Sequence, residues 1–168
     1  MCAGRNFTEM SDGERLAIGA TRISACELNH PGGCLGVRLE TSSGSIVYAT
    51  DYEPGLREFD AGLRELARGA DLLIADAQYA PEQLAGARKG WGHSSWLDSV
   101  RVAQDAGAKN LVLFHHDPDS ADKTVDGFLR QARRNFENVW GAAEGMEIAI
   151  AGQRVEVHAH EAPLLTPA

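Results

Sequence analysis

The apolar positions of this chain switch repeatedly between a period of two and a period near 3.6, and each switch marks an element. "ERLAIG" and then "TRISACELN" read as strands, the second with the partial alternation of a half-buried one. "CLGVRLE" and "SIVYAT" flank the short polar cluster "TSSGS" and read as a hairpin. Pro54 suits the opening of a helix in which Leu56, Phe59, Leu63 and Leu66 recur at helical spacing, with Gly69 at its end. "DLLIAD" follows as a short apolar strand. Ser95 and Asp98 then form a capping-box pattern ahead of a second helix, on which Trp96, Val100 and Ala103 share a face and which Gly107 closes. "NLVLF" is the next strand. A third helix carries Val125, Phe128, Leu129, Ala132, Phe136 and Val139 on one stripe, and "MEIAI" with "RVEVH" forms a closing strand pair around "AGQ".

Strands written almost wholly in Val, Ile and Leu and alternating with helices imply an α/β layer sandwich whose consecutive strands are largely parallel. Sheets of that kind collect ligands at the carboxyl ends of their strands, where loops and helix N-termini gather. His30 follows "TRISACELN", Asp51 follows "SIVYAT", Asp76 closes "DLLIAD" and His115 follows "NLVLF". Four ionisable side chains, each just beyond a different strand, can meet at one rim.

Composition narrows what waits there. The 168 residues suit one domain over 1–168, and 16 Lys plus Arg against 24 Asp plus Glu give a formal charge of -8. That balance disfavours non-specific binding to nucleic acid or an anionic membrane and favours a small or positively charged partner. No apolar run spans a bilayer and no basic segment leads into an apolar signal core, so a cytoplasmic location is expected. Cys2, Cys26 and Cys34 are odd in number without a Cys-x-x-Cys pair, which points to reduced thiols.

Imidazole and carboxylate are ligands shared by zinc, iron and manganese, so His30, Asp51 and His115 form a candidate metal half-shell. Polar residues also cap strands that hold no metal. His93 immediately precedes Ser94 and Ser95 at the start of the second helix, where unpaired N–H groups and the helix dipole disfavour a protonated ring. It suits an anion or a developing negative charge, or is an ordinary helix-start residue. Of the adjacent His115 and His116 only one is expected at the rim, because neighbouring side chains diverge at a strand end. Asp117 and Pro118 read as the turn into the third helix, with Asp119 or Ser120 as its cap. His158 and His160 share a strand face but lack an acidic or third histidine partner. Arg130, Arg133 and Arg134 read as a solvated helix face. "HPGGCLG" lacks the Lys-Ser/Thr of a phosphate loop, and no G-x-S-x-G elbow occurs.

"ELNHPGGCLG", "VYATDYE", "DLLIADAQY", "KGWGHSSWLDSVRVA" and "AKNLVLFHHDP" occur in an order that resembles the second half of the metallo-β-lactamase-fold hydrolases, near ribonuclease Z and phosphodiesterase-type enzymes. The likeness runs from about residue 15 to 158. It implies the C-terminal half of an αββα sandwich, a mixed sheet flanked by helices. It also implies two metal ions, zinc first with manganese or iron as alternatives, and hydrolysis of a phosphodiester or similar ester. On this pattern His30 holds one metal, His115 the other, and Asp51 bridges both. His93 matches the histidine of a Gly-His-Ser motif that assists at the scissile phosphate, and Asp76 stands where relatives usually have the glutamate that orients it.

The His-x-His-x-Asp-His motif of the family's preceding half does not occur in these 168 residues. The resemblance therefore implies a fragment or shortened gene product with an apolar sheet face left bare, covered by self-association as a homo-oligomer or by a partner that supplies the missing half. Two rivals to the hydrolase stand beside it. One is a non-catalytic module that self-associates through the uncovered sheet, the other a metal-free binder of a small anion at the same rim.

Overall fold

Seven strands lie side by side in sequence order. In the computed structural model, which describes residues 7–151 and 154–159, they are β1 (Arg15–Ile18), β2 (Thr21–Leu28), β3 (Cys34–Thr41), β4 (Gly44–Ala49), β5 (Leu72–Asp76), β6 (Leu111–Phe114) and β7 (Val139–Gly141). Strands β1 to β4 form an antiparallel meander, and β4 to β7 are parallel. The expectation of largely parallel strands thus holds only for the second part. The first four are joined by short turns that leave no room for a crossover helix, whereas each later pair is linked through one. The mixed sheet is the one the family resemblance implies. Because β2 and β4 both run opposite to β3, their carboxyl ends share an edge with those of β5 and β6.

The helices are α1 (Arg57–Leu66), α2 (Pro81–Ala85), α3 (Trp96–Ala106) and α4 (Asp122–Ala132). Leu63 and Leu66 of α1, Trp96, Val100 and Ala103 of α3 and Phe128 and Ala132 of α4 bury one sheet face, meeting Val47, Ala49, Leu73, Ala75, Leu111 and Leu113. Ser95 caps α3 by accepting from the Asp98 N–H, and Gly107 ends it at φ 65°, as the sequence pattern requires.

Three boundaries differ from the sequence reading. Leu56 is the N-cap of α1 and lies 47% exposed, so Pro54 precedes the helix and does not open it. Helix α4 ends at Ala132, leaving Phe136 outside it and Val139 as the first residue of β7, so a stripe that mimicked one helix belongs to two elements. Ala121 caps α4 without a side-chain bond, while Asp117 accepts from the Asp119 N–H and closes the preceding turn.

Among the described residues no helix packs on the opposite sheet face. Register places Leu39, Ile46, Tyr48, Ile74, Val112 and Phe114 on it, and of these Leu39, Tyr48 and Phe114 are 37–43% exposed. A separate hairpin, β8 (Met146–Ala151) with β9 (Arg154–Ala159), puts Ile150 against Gly44 at the start of β4. His158 lies 3.9 Å from Glu156 on this hairpin, and His160 falls outside the described residues. No helix among the described residues is long and apolar enough to cross a membrane.

Candidate functional site

The rim at the carboxyl ends of β2, β4, β5 and β6 gathers His30, Asp51, Asp76 and His115, and the loop ahead of α3 adds His93. Asp51 Oδ1 is 3.4 Å from His115 Nε2 and 3.8 Å from His30 Nε2, with all three side chains 25–35% exposed. Nitrogens and carboxylate oxygens of His30, Asp51 and His93, and likewise of Asp76, His93 and His115, fall within 4.8 Å of one another.

The backbone is bent to make this meeting possible. Asp51 and His115 are the described non-glycine residues with positive φ, at 60° and 57°. The left-handed conformation costs an L-residue about 1–2 kcal/mol, and such outliers cluster at functional sites. At Asp51 the distortion is held by its own N–H, which donates to Asp76 Oδ2 at 3.0 Å.

Asp76 has no exposed side-chain surface. It accepts from the N–H groups of Asp51, Ser94 and Gln78, and its Oδ2 lies 2.8 Å from His93 Nδ1. The bond from Asp76 raises the His93 pKa above the usual imidazole value, against the effect of burial. Reasoning from the helix terminus alone pointed to a disfavoured imidazolium. One buried carboxylate in contact with the ring outweighs the partial charges of a helix end. The His93 ring lies 4.9 Å from that of His115 and 5.7 Å from that of His30. His116 turns away: both ring nitrogens are shut off from solvent, and burial lowers its pKa.

Two residues that pattern reasoning passed over hold the loops in place. Glu53, buried, accepts from the N–H groups of Gly90 and Gly92 at 2.8 Å each, and its own backbone pairs with Asn29. It ties together the loops that carry His30, Asp51 and His93. Gly92 passes so close over His30 that a Cβ would sit 2.3 Å from His30 Cδ2, and its φ is 89°. The glycine beside "HSS" in the sequence was the available signal for Gly92; for Glu53, one acid among 24 Asp plus Glu, there was none.

Residues 3–116 match the family model described as a beta-lactamase superfamily domain. The chain belongs to the beta-lactamase superfamily. It is 34% identical over 95 residues to ribonuclease Z of Brevibacillus brevis, an alignment that covers 54% of this chain and 28% of that protein. The fold is similar to part of the metallo-beta-lactamase fold protein YhfI from Bacillus subtilis, with TM-score 0.65, 22% identity, and coverage of 90% of this chain and 55% of that one. Human tRNase Z, short form, gives TM-score 0.62 and 23% identity over 80% of this chain and 45% of its own. The chain spans roughly a third of the length of the curated relatives it matches, 28–37% for the first three. A superfamily fold of this kind implies metal ions.

Proposed function

We propose that this chain supplies one side of a metal-dependent hydrolase centre acting on a phosphodiester or similar ester. The observation that carries the reading is the approach of His30 and His115 to a single Asp51 oxygen at 3.8 and 3.4 Å. Donors at about 2.1 Å from a tetrahedral ion stand roughly 3.4 Å apart, so the donor set and its spacing fit zinc, with manganese or iron as alternatives. His30 and His115 are assigned to different ions and Asp51 to both. Bound metal would lower the pKa of water and offset the charge that develops on the phosphoryl oxygens.

The remaining steps belong to side chains of this protein. Asp76 fixes the His93 ring through Nδ1 and favours its protonated form, which leaves Nε2 to donate to an oxygen of the scissile group. Three donors do not complete two coordination shells, and the others are assigned to residues outside these 168. The test is hydrolysis of bis(p-nitrophenyl) phosphate. His115→Ala and Asp51→Ala should each lower the rate at least about 100-fold, and His93→Ala by a similar factor; unchanged rates overturn the assignment.

A second reading, a non-catalytic module that pairs with itself, is favoured by the exposure of Leu39, Tyr48 and Phe114 on one sheet face. A chain that binds no metal yet self-associates through those residues supports it over the first.

A further inference from the structure

Between α2 and His93 runs a loop whose composition departs from the acidic average of the chain: Arg88 and Lys89, then Trp91 after Gly90, bounded by Gly86 and Gly92. The Arg88 guanidinium carbon lies 4.4 Å from the centroid of the Trp91 ring and 5.5 Å from that of Tyr79. Tyr79 in turn meets the His93 ring edge-on at 6.1 Å. The stack is thus contiguous with the rim described above through one shared side chain.

Three features distinguish this stack from a loop staple. The loop is already anchored by Glu53 through the N–H groups of Gly90 and Gly92, so the stack is not needed to fix it. Among the described residues no carboxylate or carbonyl partners the Arg88 guanidinium; the same is true of Arg15, Arg57, Arg130 and Arg134, but none of those four lies over an aromatic ring. Trp91 is 53% exposed, so much of its indole remains accessible to a ligand. A guanidinium placed over aromatic rings can still direct N–H groups to a phosphate, and an exposed indole offers a surface to a planar ring.

We propose that Arg88 and Trp91 form a recognition subsite for the flanking part of the substrate, a nucleotide-type group whose phosphate pairs with Arg88 while its base stacks on Trp91. Lys89 adds charge at the same mouth. The net charge of -8 confines this attraction to one patch, so the fitting ligand is small, a mononucleotide or the end of a short strand. The inference rests on the reading of the adjoining rim as a phosphoester-handling centre and names its substrate class.

The test is calorimetric titration of the full chain, after treatment with a chelator, with uridine 5′-monophosphate, uridine and inorganic phosphate separately. The mononucleotide should bind at least tenfold more tightly than either part. Arg88→Ala should weaken it at least tenfold, Arg88→Lys less, and Trp91→Ala should remove the preference over inorganic phosphate. A single-stranded tetranucleotide that binds as tightly as the mononucleotide identifies a strand end, and weaker binding identifies the free nucleotide. Equal affinity for phosphate and mononucleotide, or indifference to Arg88→Ala in a variant that melts like the parent, overturns the subsite. Nucleotide binding that depends on Arg88 in a chain without hydrolysis refutes the catalytic reading alone, and hydrolysis with no Arg88 dependence refutes the subsite alone.

Discussion

The left-handed backbone of His115 separates two costs that a single substitution usually confounds. His115→Ala and His115→Gly both remove the imidazole, but alanine must still occupy φ 57° while glycine does so freely. Chemical denaturation of the metal-free chain should find the glycine variant more stable than the alanine variant by about 1 kcal/mol; equal stabilities would mean that the bend carries no strain. Gly92→Ala should act through His30. The new methyl has no room beside the ring and Pro31, so loss of metal binding and about 2–3 kcal/mol of destabilisation are expected, measured by equilibrium dialysis and urea unfolding.

At the level of elements, the edge of the sheet opposite the site is fastened by Asp71. Its carboxylate accepts from the Ser45 N–H and hydroxyl and pairs with Lys109 at 2.7 Å, and Asn110 bonds its carbonyl, so the starts of β4, β5 and β6 are joined. Burial works to raise the Asp71 pKa, but Lys109 and Ser45 together outweigh it and the net shift is downward. A depressed carboxylate stabilises the fold above its unfolded pKa, near 3.9, and that contribution fades as pH falls through the folded value. Asp71→Asn should therefore cost about 1–3 kcal/mol at pH 7. In unfolding titrations the gap from the parent should hold down to about pH 5 and narrow below about 4.

Much of this level was legible beforehand. The turn "TSSGS" and the Ser95–Gly107 frame gave β3, β4 and α3 because local chemistry dictates them. The antiparallel β1–β3 and the break between α4 and β7 were not legible, because strand direction depends on pairing partners and a continuous apolar stripe does not show where its register changes. At the site, strand ends marked His30, Asp51, Asp76 and His115. The raised His93 pKa depends on a carboxylate 17 positions away, which spacing does not reveal.

For the molecule as a whole, one sheet face is packed by helices and the other leaves Leu39, Tyr48 and Phe114 in the open. Exposed apolar surface of this kind marks an interaction site, and we propose a second copy as its partner. Sedimentation velocity should show a dimer or larger species at micromolar concentration, and Tyr48→Lys should shift it toward monomer; a strictly monomeric parent chain would remove the basis for self-association. The proposed function stands on the metal centre. Elemental analysis of the gently purified chain tests it most directly. The expected result is about one zinc, manganese or iron ion or more per chain, falling several-fold in Asp51→Ala and His115→Ala. A metal-free parent, or a content that the two substitutions leave unchanged, would contradict it.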